Sequence, residues 1–262
     1  MLRRSLPLCS LPLAGALSAV LILMAPHAQA ASVSKAITAA VADANRPDTD
    51  KQRDADRKPA ETIAFAGIKS GDHVAELLPG RGYFTRIFSK VVGPKGSVLA
   101  VAPPPRPNAP AGSPDPAAAV TAIAADPNYK NVKVVVAPIT GLTVPEPVDV
   151  VWTSLNYHDI HNVPNVDLAA FNKAVFNALK PGGTFIVIDH AAEAGAGVRD
   201  TSTLHRIDPA TVKTEVTAAG FVLDGESDLL ANKADPHTAG VRDPSIQGKT
   251  DQFLLKFRKP KK

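Results

Sequence analysis

Stretches that read as buried strands recur along this chain, separated by stretches with helical spacing. His73 to Leu78 and Ser97 to Ala102 read as strands, and Val132 to Val136, Val148 to Trp152 and Phe185 to Ile188 are largely β-branched runs. Runs without strict alternation fit strands covered on both faces, as in a parallel sheet. Between them, Phe84, Ile87, Phe88 and Val91 fall on one helical face. Leu168, Phe171, Val175 and Leu179 form a second stripe, closed by Pro181-Gly182-Gly183. Asp208-Pro209 starts a third helix with Val212 and Val216 on its buried side, and Gly220 ends it. Near the beginning, Ile37, Val41 and several alanines suit an amphipathic helix from Ser34 to Asn45. The polar stretch Asp48 to Lys58 reads on composition as a solvated linker.

Phe253 to Phe257 follows a long irregular segment rather than a helix, so this last strand is expected to pair antiparallel. The proline-rich segment Pro103 to Pro116 is expected as a surface loop after the second strand. The alternation predicts an α/β fold with a Rossmann-like, doubly wound, mostly parallel sheet and an antiparallel last strand. An N-terminal helical extension over 31–60 would precede the α/β domain of 61–262. No internal repeat is visible.

Composition adds a location. Arg3 and Arg4, the apolar run Leu11 to Ala25 and Ala28-Gln29-Ala30 have the three-part pattern of an export signal, with cleavage expected after Ala30. The apolar run is short for a spanning helix, so no stable membrane span is expected after cleavage, and the protein would be periplasmic or secreted. Cys9 is the only cysteine, so the mature chain would have neither disulfides nor thiolate ligands. The formal charge of +4 includes both signal arginines, leaving +2 for the remainder, which gives no case for a nucleic-acid partner. With 45% hydrophobic residues, a packed core rather than disorder is expected.

Glu76-Leu77-Leu78-Pro79-Gly80-Arg81-Gly82 lies between the first predicted strand and its helix. Glycines there let backbone approach a ligand, and the helix N-terminus favours a carboxylate or phosphate. Asn156-Tyr157-His158-Asp159 directly follows the fourth strand, Asp189-His190 ends the fifth, and His205-Arg206 precedes the third helix. All are expected at the carboxyl edge of the sheet, where open α/β folds bind ligands. His158 has the chemistry of a general base, Asp159 of its orienting group, and Tyr157 of an acceptor contact. Trp152, inside a strand, reads as core. The histidines and carboxylates are of metal-binding type, but they are scattered and lack His-Glu-x-x-His spacing, so no metal is expected.

The glycine segment resembles the first motif of class I S-adenosylmethionine-dependent methyltransferases, an acid followed by three spaced glycines. Glu76, Gly80 and Gly82 match the acid and the last two glycines, and Leu78 replaces the first. Arg57-Lys58-Pro59, Glu76 to Thr85, Asn156 to Asp159, Leu204 to Ile207 and Gly248 to Phe253 further resemble a group of predicted exported bacterial methyltransferases. The resemblance implies S-adenosylmethionine as cofactor, cradled by Glu76, Pro79, Gly80, Gly82 and Tyr83. Tyr157, His158 and Asp159 would then be catalytic. Asn156, Asp189, His190, His205 and Arg206 would border a small-molecule acceptor, with Arg206 suited to an anionic one. The family's ribose-binding acid at the end of the second strand is missing, since Ala102-Pro103-Pro104 stands there and Asp115 is the next acid. Two other functions fit the same residues: a non-catalytic small-molecule-binding protein on this scaffold, or a metal-dependent hydrolase.

Overall fold

The computed structural model describes residues 32–261. The expected export signal, its cleavage after Ala30, and Cys9 lie outside the described residues. The chain begins with α1 (Lys35–Val41), whose first turn is capped by the Ser34 hydroxyl accepting from the Ile37 amide. It stops short of the expected Asn45 because the Asp43 carboxylate accepts from the Asn45 amide, a local bond that competes with the helix. The polar stretch expected as a linker is instead folded into two single-turn helices, α2 (Asp48–Lys51) and α3 (Asp54–Arg57). Its charges find partners: Asp54 pairs with Arg46 at 2.6 Å, and Asp50 with Arg86 at 3.0 Å. Next comes α4 (Pro59–Ala66), so the expected domain boundary at residue 60 falls inside a helix. Ile37, Ala40 and Ile63 share one core with the sheet, which joins the extension to the domain.

The remainder alternates as the pattern predicts. β1 (His73–Leu77) leads to α5 (Tyr83–Val92), β2 (Ser97–Ala102) to α6 (Ala118–Ala125), and β3 (Val132–Val136) directly to β4 (Val148–Ser154). α7 (Tyr157–Ile160) and α8 (Leu168–Ala178) precede β5 (Leu179–His190), and α9 (Pro209–Ala218) precedes β6 (Val222–Ser227) and β7 (Gln252–Arg258). The strand order is β3-β2-β1-β4-β5-β7-β6, parallel from β3 through β5, with β7 antiparallel to both its neighbours. Alternate residues of each strand face opposite sides. Val74, Val98, Val150 and Trp152 pack against α1, α4, α5 and α6, while Ala75, Leu99, Val151 and Phe185 pack against α7, α8 and α9. Trp152 is core, wedged between Phe84 and Phe88.

Three local differences have identifiable causes. Leu179, expected to end a helix stripe, begins β5, and Pro181-Gly182-Gly183 lies within that strand beside a register shift against β4. β6 was not anticipated, because an edge strand reading Val-Leu-Asp-Gly-Glu-Ser lacks a buried-strand pattern. α6 is alanine-rich and sits behind the exposed proline loop, where nothing in the apolar spacing marks it. No helix among the described residues is long and apolar enough to cross a membrane.

Candidate active site

Past Leu77 the chain turns through residues 78–82 into α5. Leu78, which stands where the resembled motif has its first glycine, adopts a left-handed backbone at φ +52°. Such a conformation costs about 1–2 kcal/mol for a side chain and persists only when surroundings dictate it. Here the Leu78 amide donates to Val101 O at 2.9 Å, and its carbonyl accepts from Asn156 Nδ2 at 3.3 Å. Gly80 and Gly82 also have positive φ, but for different needs. A Cβ on Gly80 would meet no other atom within 4 Å, whereas one on Gly82 would come within 2.2 Å of Ile123 Cδ1. One glycine keeps the turn's inner side open, and the other lets α6 close on α5.

That turn borders a cavity of about 220 Å³ at the carboxyl ends of β1 and β4, together with Glu76, Arg53, Arg57, Leu155 and Asn156. The first amides of α5, which have no partners within the helix, lie at this turn. Glu76 is buried, and the Thr85 hydroxyl donates to it at 2.5 Å. Burial pushes its carboxyl up to about 8 against the opposing pull of Thr85, Arg57 and Arg86. Tyr83 is buried beneath the N-terminal segment and donates its hydroxyl to Asp54 at 2.6 Å. The guanidiniums of Arg46, Arg53 and Arg57 lie 5.4, 5.5 and 4.6 Å from its ring centre. Arg46 is paired with Asp54, but among the described residues neither Arg53 nor Arg57 is within ion-pair distance of a carboxylate. Burial, then Arg53's like charge, lowers Arg57 to about 10. Charge counting could not single out these two arginines, because the same stretch carries as many acids.

At the neighbouring strand ends, Asp189 is fully buried and organises the His158 region. Its carboxylate accepts from the His158 amide and from His158 Nδ1, both at 2.7 Å, and from the His190 amide at 2.8 Å. His158 Nε2 lies 3.3 Å from Asp159 Oδ1, and His205 Nδ1 approaches the same oxygen to 3.2 Å. Against the penalty of burial, Asp159 and Asp189 raise His158 to about 9, so it carries a proton at neutral pH rather than standing ready as the expected base. His190, bonded through Nδ1 to Thr250 at 2.7 Å, is lowered to about 4 by burial. The donors of His158, Asp159 and His205 all lie within 4.8 Å of one another. Residues that look scattered in sequence therefore converge in space.

Tyr157, expected as catalytic, and Arg206, expected beside the acceptor, point elsewhere. Tyr157 is fully buried in the core under α8 and α9, its hydroxyl donating to Glu215 at 3.0 Å and accepting from Asn172 at 2.9 Å. Arg206 is fully buried against Asp235 at 2.9 Å and also donates to the Ala191 and Ala239 carbonyls, so it anchors loops instead of facing an acceptor. Asn156 and Pro79 do line the cavity. At the end of β2 no acid appears, and Asp115 is occupied in capping the Ala117 amide at 2.9 Å.

No protein-family model and no curated protein matches the chain. Among solved structures, a SAM-dependent methyltransferase from Aquifex aeolicus superposes with a TM-score of 0.53 at 17% identity, covering 82% of this chain and 98% of its own. An S-adenosylmethionine-dependent methyltransferase from Mesorhizobium loti gives 0.52 at 18%, covering 75% and 95%. The fold is that of the class I methyltransferases. The [4+2]-cyclase SpnF shares it too, with a TM-score of 0.55 at 17% identity over 80% of this chain and 82% of its own. In a class I methyltransferase fold, as in other open α/β sheets, the working crevice lies outside the carboxyl strand ends. Both the cavity and the histidine cluster are there.

Proposed function

We propose that this protein transfers a methyl group from S-adenosylmethionine to a small-molecule acceptor, and that it does so outside the cytoplasm after export. One observation carries the reading: the cavity at the glycine turn is lined both by a buried carboxyl, Glu76, and by a guanidinium, Arg57, that has no carboxylate within ion-pair distance among the described residues. This is a complement for a zwitterionic amino-acid group, with ammonium at Glu76 and carboxylate at Arg57 and the first amides of α5. The sulfonium methyl would then point along the crevice toward the histidine cluster. Catalysis at such a site is mainly alignment of acceptor, methyl and sulfur. The asymmetry between a cradled amino-acid end and an acid-free β2 end assigns most binding energy to the former.

Calorimetric titration of the full chain with S-adenosylmethionine tests this. Saturable binding is expected, and Arg57→Ala should weaken it about 10- to 100-fold, the worth of a charged hydrogen bond. Unchanged affinity in that variant would remove Arg57 from the cradle, and no binding by the parent chain would end the proposal. A second reading, binding without transfer, draws support from the missing β2 acid and from the cyclase on the same fold. Saturable binding with no methylated product across alcohol, amine and carboxylate acceptors would favour it.

A further inference from the structure

We propose that His158, Asp159 and His205 form a site for one divalent transition metal of the zinc class, near the carboxyl ends of β4 and β5 and apart from the residues that line the glycine-turn cavity. The spacing carries the first part of the case. His158 Nε2 and His205 Nδ1 stand 3.3 and 3.2 Å from one oxygen of Asp159. A tetrahedral ion with nitrogen and oxygen ligands at about 2.0–2.2 Å has ligand-to-ligand edges of about 3.3–3.6 Å. Two edges of the cluster already stand within about 0.1 Å of the lower end of that range, and all three donors lie within 4.8 Å.

The supporting residues carry the second part. Asp189 holds His158 by Nδ1, which fixes the ring and leaves Nε2 directed at the cluster. This is the carboxylate–histidine arrangement that orients metal-bound imidazoles. On the other side, His205 sits in the left-handed region at φ +55°, a strained backbone for histidine. The next residue, Arg206, is clamped by Asp235 and two carbonyls, which holds that strain in place. Two imidazoles and one carboxylate suit zinc or iron(II) rather than calcium or magnesium, which take oxygen ligands. His158 is buried while the Asp159 and His205 side chains are 44% and 29% exposed, so the fourth position faces outward. Three protein ligands with an accessible fourth position admit water or an acceptor oxygen. The inference does not depend on the cofactor reading.

The test uses the full chain, stripped with a chelator, dialysed, and titrated with zinc chloride without any nucleotide. One equivalent should bind, saturating below about 100 μM, and cobalt(II) should give the intense visible absorption of a tetrahedral site. His205→Asn is the deciding variant, because asparagine tolerates the left-handed backbone while removing the imidazole. Its zinc affinity should fall at least about 100-fold, and Asp189→Asn should lose about 10- to 100-fold through the orienting contact. Melting temperatures taken with chelator separate loss of ligand from loss of fold. Failure to saturate, or equal zinc affinity in a folded His205→Asn variant, would overturn the site. Either result leaves the S-adenosylmethionine titration standing, and that titration's failure leaves this one standing.

Discussion

Around the glycine turn the crevice is built from backbone, and two guanidiniums line the cavity with no acidic partner among the described residues. Around His158 it is built from side chains, and nearly every polar atom already has one. Asp189 alone receives three hydrogen bonds, while Arg53 and Arg57 have no carboxylate within ion-pair distance among the described residues. The first half resembles a socket waiting for charge, since unpaired cations near buried amides favour an anion. The second resembles a rigid mount, since satisfied polar networks fix side chains in one geometry. The two halves should accordingly fail in different ways when altered.

The largest effect is expected from the mount. Arg206→Met leaves Asp235 buried without its counter-charge, which should cost about 3–5 kcal/mol. A loss of that size lowers the melting temperature by roughly 10 °C for a chain of this length. Removing both charges, as in Arg206→Met with Asp235→Leu, should recover only part of the loss, because the Asp251 and His237 amides, which donate to Asp235 at 2.6 and 3.0 Å, would lose their acceptor. Should Arg206→Met melt with the parent yet bind an anionic acceptor poorly, Arg206 belongs to the wall and the contrast between the halves collapses.

Within the turn, the two glycines, both with positive φ, should separate. Gly82→Ala combines a left-handed backbone with a clash against Ile123, and should cost about 2 kcal/mol in urea unfolding. Gly80→Ala incurs the backbone strain alone, about 1 kcal/mol, but places its methyl beside the cavity. S-adenosylmethionine affinity should therefore drop about tenfold or more in Gly80→Ala, equivalent to at least 1.4 kcal/mol. Equal stability loss in both, with affinity intact, would show that the turn is a plain bend.

The inner strands β1, β2, β4 and β5 were legible because they are buried on both faces, whereas β3, an edge strand with Val136 exposed, was legible from its β-branched run alone. Val98 and Leu99 face opposite cores, so neither position admits a polar residue, and the run announces itself. β6 was hidden because it is an edge strand paired only with β7, which leaves Asp224 and Glu226 free to be polar. Among the site residues, Glu76, Gly80 and Gly82 could be read since backbone geometry demands particular residue types at fixed spacing. Tyr157 and His158 could not be told apart, because adjacent residues on the single-turn α7 differ by about 100° in direction, one pointing into core and one toward Asp189. Arg57 lies in a stretch that resembles the exported methyltransferases, yet its place at the cavity could not be read for another reason. Its role depends on α3 folding back over Tyr83, a tertiary contact with no local signature.

The smallest effect is the most specific for the socket. Glu76 is held near 8 by burial, above its usual range of about 4.3, so the folded chain keeps a proton there that the unfolded chain releases. Between those two values the native state binds more protons than the unfolded state, and stability falls as pH rises. The contribution is whole below about pH 4.3 and lost by about pH 8. An ammonium placed beside Glu76 favours its charged form and should expel that proton. Titration with S-adenosylmethionine at pH 7 in two buffers of different ionisation enthalpy should thus report release of up to about one proton, fading above pH 8. Glu76→Gln should bind more weakly, release none, and lose its share of the pH dependence of stability. Proton release that persists in Glu76→Gln would place the ammonium against another group, and the socket would have to be drawn the other way round.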